Sequence, residues 1–160
     1  MKVIFYLPVP KEYLNRWDYY QVDLQILNDL FDNVVVCDSL LQVFRARKGA
    51  SVVYCWWWHS SIMPILLCRL LGISSVVTGA IHMFDISGAP DFYTKNLLYR
   101  IFTRISLRLA SANLFISTDQ FRQVTSHLTV NNPMIVHSSL VKTRYPSSRD
   151  DSRTAPSSDF

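Results

Sequence analysis

The sequence lacks the short motifs that mark the commonest nucleotide-binding and hydrolytic sites. Its 160 residues contain no GxGxxG, no GxxxxGK[ST] and no GxSxG. A dinucleotide-dependent oxidoreductase, a P-loop ATPase and an α/β-hydrolase each build the site on one of these loops. All three classes therefore lose their main support.

Cysteine is also scarce, and its pattern is that of buried thiols. The three cysteines, Cys37, Cys55 and Cys68, form no CxxC pair, and each lies within an apolar run. This arrangement favours reduced side chains in a cytoplasmic protein over a disulfide framework. We expect no metal site and no cofactor.

Charged residues make up only 18% of the chain, whereas 49% of the residues are hydrophobic. A chain of about 150 residues can bury roughly 70% of its unfolded surface, so this composition predicts one domain with a substantial core. The formal net charge of +4 is a mild excess that suits anionic ligands or a lipid surface. We expect no nucleic-acid partner.

The longest apolar stretch, residues 52–81, is not expected to span a membrane. His59, Pro64, Arg69 and Gly72 interrupt it. A spanning helix needs about 20 consecutive apolar residues without charges or breakers. The apolar run at the N-terminus is too short for a signal peptide.

Short apolar runs alternate with amphipathic segments along most of the chain. Strands are predicted at 3–7, 34–37, 52–56, 75–78, 113–116 and 134–136. Helical spacing and capping residues predict helices near 15–30, 40–47, 61–71, 94–110 and 117–128. Because parallel neighbours need crossover connections, the pattern predicts an α/β Rossmann-like parallel sheet with helices on both faces.

This predicted domain covers residues 1–144. Residues 145–160 are rich in Ser, Pro and Asp and show no apolar pattern. We therefore predict that they form a polar linker or a disordered tail.

His82 follows the predicted fourth strand, where a parallel sheet binds its ligands. Gly79 ends that strand and lets the chain turn above the sheet. A neutral imidazole can hydrogen-bond a hydroxyl, and its cation can balance a phosphate. Asp85, three residues later, can orient the ring. The alternative is an ordinary solvated or structural histidine in a loop.

The run WWWHSS at 56–61 follows the predicted third strand. His59 and the hydroxyls of Ser60 and Ser61 precede a predicted helix N-terminus, which can hold an anion, and aromatic rings can stack on sugars. The alternative is that the tryptophans pack in the core and a serine only caps the helix. The concentration of indoles favours this second interpretation.

Ser117 opens the predicted helix at 117–128, and Gln120 three residues later completes a capping box. Capping explains this serine better than a nucleophilic role, because no histidine lies at a suitable spacing. It remains a candidate only as a binding residue.

The predicted helix at 94–110 carries a basic stripe. Arg100, Arg104 and Arg108 recur every four residues, and an apolar stripe is expected opposite them, made of Leu97, Leu98, Ile101, Ile105 and Leu109. The basic stripe is either a solvated face or a contact with anionic lipid head groups at the inner face of the membrane.

Four segments occur in an order that is informative. They are MKVIFYLP, VVYCWWWHSSIMPILLCRLLGISSVVT, the HMFD that follows, and ASANLFISTDQFRQ. The order is that of a strand, a helix, a strand end similar to G-I-P-x-V-x-T-x-H-D, a long helix and a strand end similar to A-D-x-I-I-x-x-S. Over residues 1–146 the chain thus resembles the N-terminal domain of GT-B glycosyltransferases, in particular glycosyltransferase family 4.

This resemblance implies a hexosyltransferase-type enzyme that moves a sugar from a nucleotide-sugar donor to an acceptor: a glycan, a lipid-linked sugar or a cell-surface polysaccharide. Acceptor chemistry lies on this domain in the family, and a second Rossmann-like domain holds the donor. His82 matches the family histidine near the reacting sugar, with Asp85 as a second catalytic candidate. His59, Ser60 and Ser117 become candidate acceptor-binding residues.

The chain also departs from the family pattern. PVPKEYLNRWD has no Gly-rich loop, Asp85 lies two residues further from His82 than in the usual adjacent pair, and Glu12 is the only glutamate. The family carries a glutamate pair in its donor domain. We therefore expect a truncated or split glycosyltransferase that is inactive until a partner chain supplies the donor half. The alternative is a non-catalytic Rossmann-like binding or interaction module.

Overall fold

A parallel sheet forms the centre of the computed structural model, which describes residues 1–10, 13–14, 18–84 and 91–136. Six strands in this part of the chain run in the order β2-β1-β3-β4-β5-β6. They are β1 (Lys2–Tyr6), β2 (Asn33–Cys37), β3 (Ala50–Trp56), β4 (Ser74–Thr78), β5 (Ala112–Phe115) and β6 (Pro133–Ile135). The helices are α1 (Asp18–Leu30), α2 (Leu40–Ala46), α3 (Ile62–Leu71), α4 (Leu97–Leu109) and α5 (Thr118–His127), and a 3₁₀ turn covers Trp58–Ser60.

The α/β fold class predicted from the sequence is confirmed, and every predicted strand is found within two residues of its expected bounds. Helix α3 also ends as expected, because Gly72 adopts a φ of 66° and its N–H caps the carbonyl of Cys68. The three cysteines are buried and none of them is joined in a disulfide. Asp85 and the predicted tail at 145–160 lie outside the described residues.

Strand β1 shows why its sequence is apolar without alternation. Val3 and Phe5 pack with α1 on one face of the sheet, whereas Ile4 and Tyr6 join the core on the other face. All four side chains are buried. Each of the helices α2 to α5 contributes buried residues to the second face. A strand covered on both sides needs apolar residues at every position.

Helix α4 departs from the prediction. Leu97 and Leu98, expected to belong to a packed apolar stripe, are 60% and 62% exposed, while Thr103 and Ser106 are fully buried. The helix packs against the 3₁₀ turn and α3. The inner side of the helix thus carries small polar side chains, while Leu97, Leu98 and Ile105 of the apolar stripe are left on the outer side and Leu109 packs against the core.

The strand register brings the ends of neighbouring strands to one edge of the sheet. Tyr6 in β1 pairs with Cys37 in β2 and with Cys55 in β3, and Trp56 pairs with Thr78 in β4. From β1 the chain first moves outward to β2 and then returns to β3 on the other side of β1. Such a reversal is a topological switch point, where open α/β sheets bind their ligands.

A buried pair of side chains joins α1 to the sheet. The hydroxyl of Tyr54 donates a hydrogen bond of 2.8 Å to Oδ2 of Asp23. Burial raises the pKa of Asp23 to about 6, and the hydrogen bond from Tyr54 only partly offsets this rise. The folded protein therefore binds a proton at this carboxyl more tightly than the unfolded chain does.

Because of this raised pKa, Asp23 should make the folded state less stable as the pH rises from about 4 to about 7. A rise of about two pKa units corresponds to roughly 3 kcal/mol, which residual exposure reduces to about 2 kcal/mol. Urea unfolding of wild type and Asp23→Asn at about pH 4.5 and about pH 7.5 measures the effect. The free energy of unfolding of wild type, relative to that of Asp23→Asn, should be about 2 kcal/mol lower at about pH 7.5 than at about pH 4.5. Asp32→Asn, at a side chain 98% exposed, should show no such change.

Candidate functional site

A cavity of about 470 Å³ lies at the topological switch point. The segments that follow β1, β3 and β4 line it, together with the segment that leads into α4. Its polar lining consists of His59, Ser60, His82 and Lys95, and its aromatic lining consists of Trp57, Phe92 and Tyr99. The structure thus brings together three of the residues that the sequence singled out.

Trp57 has an unusual backbone conformation, with φ 71° and ψ 106°. Its N–H donates to the carbonyl of Thr78 at 2.9 Å, and its indole Nε1 donates to the hydroxyl of Tyr20 at 2.9 Å. Ser61 Oγ donates to its carbonyl at 2.8 Å. A residue outside the ordinary backbone regions costs about 1–3 kcal/mol and is found most often at functional sites. These bonds fix Trp57 against the cavity.

Gly79 makes the close approach between the ends of β3 and β4 possible. Its φ is 149°, a region that side chains rarely tolerate. A Cβ atom at this position would lie 3.3 Å from the backbone nitrogen of Trp57 and 3.3 Å from the ring of Trp58. The sharp turn that the sequence predicts after Gly79 is therefore present.

His82 is exposed and lines the cavity. Its carbonyl accepts a hydrogen bond of 2.7 Å from the N–H of Phe92. Asp85 itself lies outside the described residues. The structure thus places His82 at the edge of the sheet where the sequence predicts a ligand site.

His59 lies half-buried beside Tyr99, with 4.5 Å between the ring centres. Burial, and next the charge of Lys95, lower the pKa of His59 below its ordinary value. The ring is therefore neutral at pH 7, with one nitrogen that donates and one that accepts. Such a group suits a hydroxyl better than an anion.

Lys95 and Tyr99 belong to the cavity lining, although no motif in the sequence marks them as site residues. The ammonium of Lys95 lies 5.7 Å from the ring centre of Tyr99. Asn96 caps α4 by accepting the N–H of Tyr99 at 2.8 Å. This capping residue is the signal in the sequence, because a crossover helix that follows β4 begins at the edge where ligands bind.

Ser117 is not among the residues that line the cavity. Its hydroxyl accepts the N–H of Gln120 at 3.1 Å and so caps α5, as the sequence predicts. The Gln120 side chain accepts from the N–H of Ile116 at 3.1 Å and donates to the carbonyl of Gly79 at 2.9 Å. The cap therefore ties α5 to the end of β4.

The tryptophans of WWWHSS divide between packing and the cavity. Trp56 and Trp58 are buried, and only Trp57 lines the cavity. Ser60 also lines the cavity, whereas Ser61 occupies the N-cap position of α3. The capping prediction for Ser61 is wrong in one respect: its hydroxyl donates to the carbonyls of Trp56 and Trp57 and does not accept a helix N–H.

The basic and apolar stripes of α4 lie side by side on the outer surface. Arg104 and Arg108 are exposed, as are Leu97, Leu98 and Ile105. Residues three or four apart are neighbours on a helix, so Ile105 adjoins Arg108. The expectation that the two stripes face opposite directions is therefore wrong. Helix α3 adds the exposed side chains of Met63, Leu66 and Leu70.

Comparison with protein-family models, with curated proteins and with solved structures finds no match to this chain. In the described ranges, no three histidine, cysteine or acidic side chains are grouped as metal ligands would be. No helix within those ranges is long and apolar enough to cross a membrane.

Proposed function

We propose that this chain is the acceptor-side half of a glycosyltransferase and that the cavity at the switch point holds the acceptor. The observation that carries this proposal is the convergence of three aromatic rings, two histidines and a lysine at that edge of the sheet. Apolar ring faces suit the C–H faces of a sugar, while a few polar groups in the same cavity select its hydroxyls.

The polar residues have distinct roles in this proposal. The neutral imidazole of His59 and the hydroxyl of Ser60 hydrogen-bond the acceptor, and His82 bonds a hydroxyl at the reacting centre. During transfer the acceptor hydroxyl oxygen bonds to the anomeric carbon and gives its proton to His82, while the bond to the nucleotide diphosphate breaks and its electron pair leaves with the phosphate. Lys95 offsets part of the charge on that leaving group.

The nucleotide-sugar donor is held in this proposal by a second Rossmann-like domain or by a partner chain. Within the described cavity lining, Lys95 is the only lysine or arginine and no carboxylate is present. A diphosphate leaving group normally requires several positive groups or helix N-termini. In this proposal the second domain or the partner chain supplies these groups.

Acceptor binding by this chain alone tests the proposal. Saturation-transfer NMR with methyl glycosides of common hexoses and with disaccharides should detect binding at the cavity. Tyr99→Leu should weaken it about 5- to 10-fold, because the ring that stacks on the sugar is lost. Tyr93→Leu is the matched control, since Tyr93 is exposed near the cavity but does not line it. The proposal would be contradicted if both variants lost sugar affinity equally, or if no sugar gave a saturation-transfer signal with the wild-type chain.

We also propose that the protein acts in the cytoplasm, at the inner face of the membrane. Leu70, Leu97 and Leu98 are 84%, 60% and 62% exposed on the outer side of α3 and α4, beside the arginines of α4. Leucines together with basic residues are the composition that binds an anionic lipid surface. At such a surface the cavity has access to lipid-linked acceptors.

A non-catalytic binding module is the second candidate. The observation in its favour is that the described lining offers no carboxylate to act with the histidines. A sugar-binding module and an acceptor half both bind the acceptor. Only the acceptor half has a rate of transfer that depends on His82.

A further inference from the structure

We propose a second binding site, which takes the phosphate group of an organic phosphate, in a pocket between α4 and the C-terminal end of α5. The pocket has a volume of about 250 Å³ and is lined by Arg104, Arg108, His127, Leu128 and Thr129. None of these residues lines the acceptor cavity. The inference therefore does not rest on the proposed glycosyltransferase function.

The charge of the pocket favours an anion. Residues 91–136 contain five lysines and arginines and only two aspartates. Among the described residues, the one recorded ion pair joins the Met1 amino group to Asp32, so neither Arg104 nor Arg108 is neutralised there by a carboxylate. Two guanidinium groups four residues apart on one helix can each bind a phosphate through paired N–H donors.

Neighbouring groups restrict the side chains that line the pocket. The guanidinium of Arg104 lies 5.6 Å from the ring centre of Phe92, and Phe84 contacts the ring of His127 edge-on at 5.2 Å. Nδ1 of His127 lies 2.9 Å from the carbonyl oxygen of Gln123 and 3.0 Å from Oγ of Ser126. Nε2 is therefore the ring nitrogen that remains for a ligand.

The size of the pocket limits the ligand. Its volume equals that of roughly eight water molecules, which is less than most organic ligands require but sufficient for a phosphate group. An adjoining groove of about 480 Å³ shares His127, Leu128 and Thr129 and continues along Phe121 and Val130. A phosphate in the pocket therefore leaves room in the groove for an organic substituent.

Two sources share this chemistry: a soluble phosphate ester and a phospholipid head group. NMR titrations of the full chain with inorganic phosphate and with glycerol 3-phosphate test the soluble source. The double variant Arg104→Gln/Arg108→Gln should weaken binding at least about 10-fold, because charge-assisted hydrogen bonds are lost. Arg122→Gln removes the same charge from an exposed position of α5 outside the pocket and should bind within about two-fold of wild type.

Flotation with phosphatidylcholine vesicles that contain or lack phosphatidic acid tests the lipid source. Binding that requires phosphatidic acid and is lost only in the double variant supports the site with a head group as its ligand. Melting temperatures check that the variants fold. If the double variant does not fold, the single variants Arg104→Gln and Arg108→Gln take its place. The proposal would be overturned if Arg122→Gln weakened phosphate binding as much as the double variant does. It would also be overturned if the wild-type chain bound neither the soluble phosphates nor phosphatidic acid. Tyr99→Leu should not alter phosphate binding, so the two sites can fail separately.

Discussion

Replacing His82 with alanine is expected to lower the rate of sugar transfer by about 100-fold or more when this chain acts together with a donor-binding domain. The imidazole lines the cavity and is exposed, so alanine removes the group that we propose to react and leaves the core intact. The measurement is the initial rate of transfer from a labelled nucleotide sugar. Thermal unfolding should be unchanged, which separates a loss of chemistry from a loss of folding.

A second substitution at the same position identifies what the imidazole does. His82→Asn keeps a side chain that donates and accepts hydrogen bonds but cannot exchange a proton near neutral pH. A rate close to that of wild type indicates that hydrogen bonding is the role of His82. A rate as low as that of His82→Ala indicates proton transfer. Wild-type rates in both variants would remove His82 from the reaction.

The same assay distinguishes the two candidate functions. The acceptor-half proposal requires transfer when a donor-binding domain is present, together with acceptor binding that depends on Tyr99. A binding module retains the acceptor binding but shows no transfer with any donor domain. The cavity geometry supports acceptor binding in both functions, because stacking and hydroxyl recognition need the same rings and imidazoles. The two functions differ only in whether transfer follows.

The sequence was sufficient to predict the strands and the edge at which the cavity lies. Runs such as VVVC in β2 are apolar at every position because the sheet has helices on both faces. The turn at Gly79 was also predictable, since only a glycine readily adopts its φ of 149°. These features depend on neighbours in the chain or on a regular period, and both are visible in a single sequence.

Features that depend on residues distant in the sequence were missed. The spacing of Leu97, Ile101 and Ile105 is that of a packed stripe, yet α4 approaches the 3₁₀ turn through Thr103 and Ser106. The period of a helix shows which residues share a face but not which face is covered. The position of Lys95 in the cavity is not visible in the sequence for the same reason, because the lining residues that follow β1, β3 and β4 meet it only in the folded chain.

Asn113 is a further residue whose role depends on distant partners. Its side chain is fully buried in β5. Oδ1 accepts the indole N–H of Trp58 at 2.8 Å, and Nδ2 donates to the carbonyls of Leu107 at 3.0 Å and Asn131 at 2.6 Å. One amide thus joins the 3₁₀ turn, the end of α4 and the segment before β6. Networks of this kind are satisfied as a unit, so the loss of one member leaves several groups unpaired.

Asn113→Leu should therefore destabilise the protein by about 3 kcal/mol, since the indole N–H of Trp58 and the carbonyl of Asn131 lose their partner at about 1–3 kcal/mol each, whereas the carbonyl of Leu107 keeps the N–H of Asn131. Urea unfolding near pH 7 measures the change, and Asn28→Leu at an exposed position of α1 should alter stability by less than about 0.5 kcal/mol. A double-mutant cycle with Trp58→Phe should give a coupling of about 1–2 kcal/mol. A cost below about 1 kcal/mol would show that the network does not hold these elements together.

The same substitution should also affect the cavity, because Trp58 begins the turn that carries His59 and Ser60. Trp58→Phe keeps the ring stacked on Phe115 but removes the N–H that Asn113 accepts. Both variants should therefore weaken acceptor binding although neither residue lines the cavity. If stability falls while acceptor binding is unchanged, the hydrogen bonds of Trp57 to Thr78, Tyr20 and Ser61 are sufficient to hold the turn without Asn113.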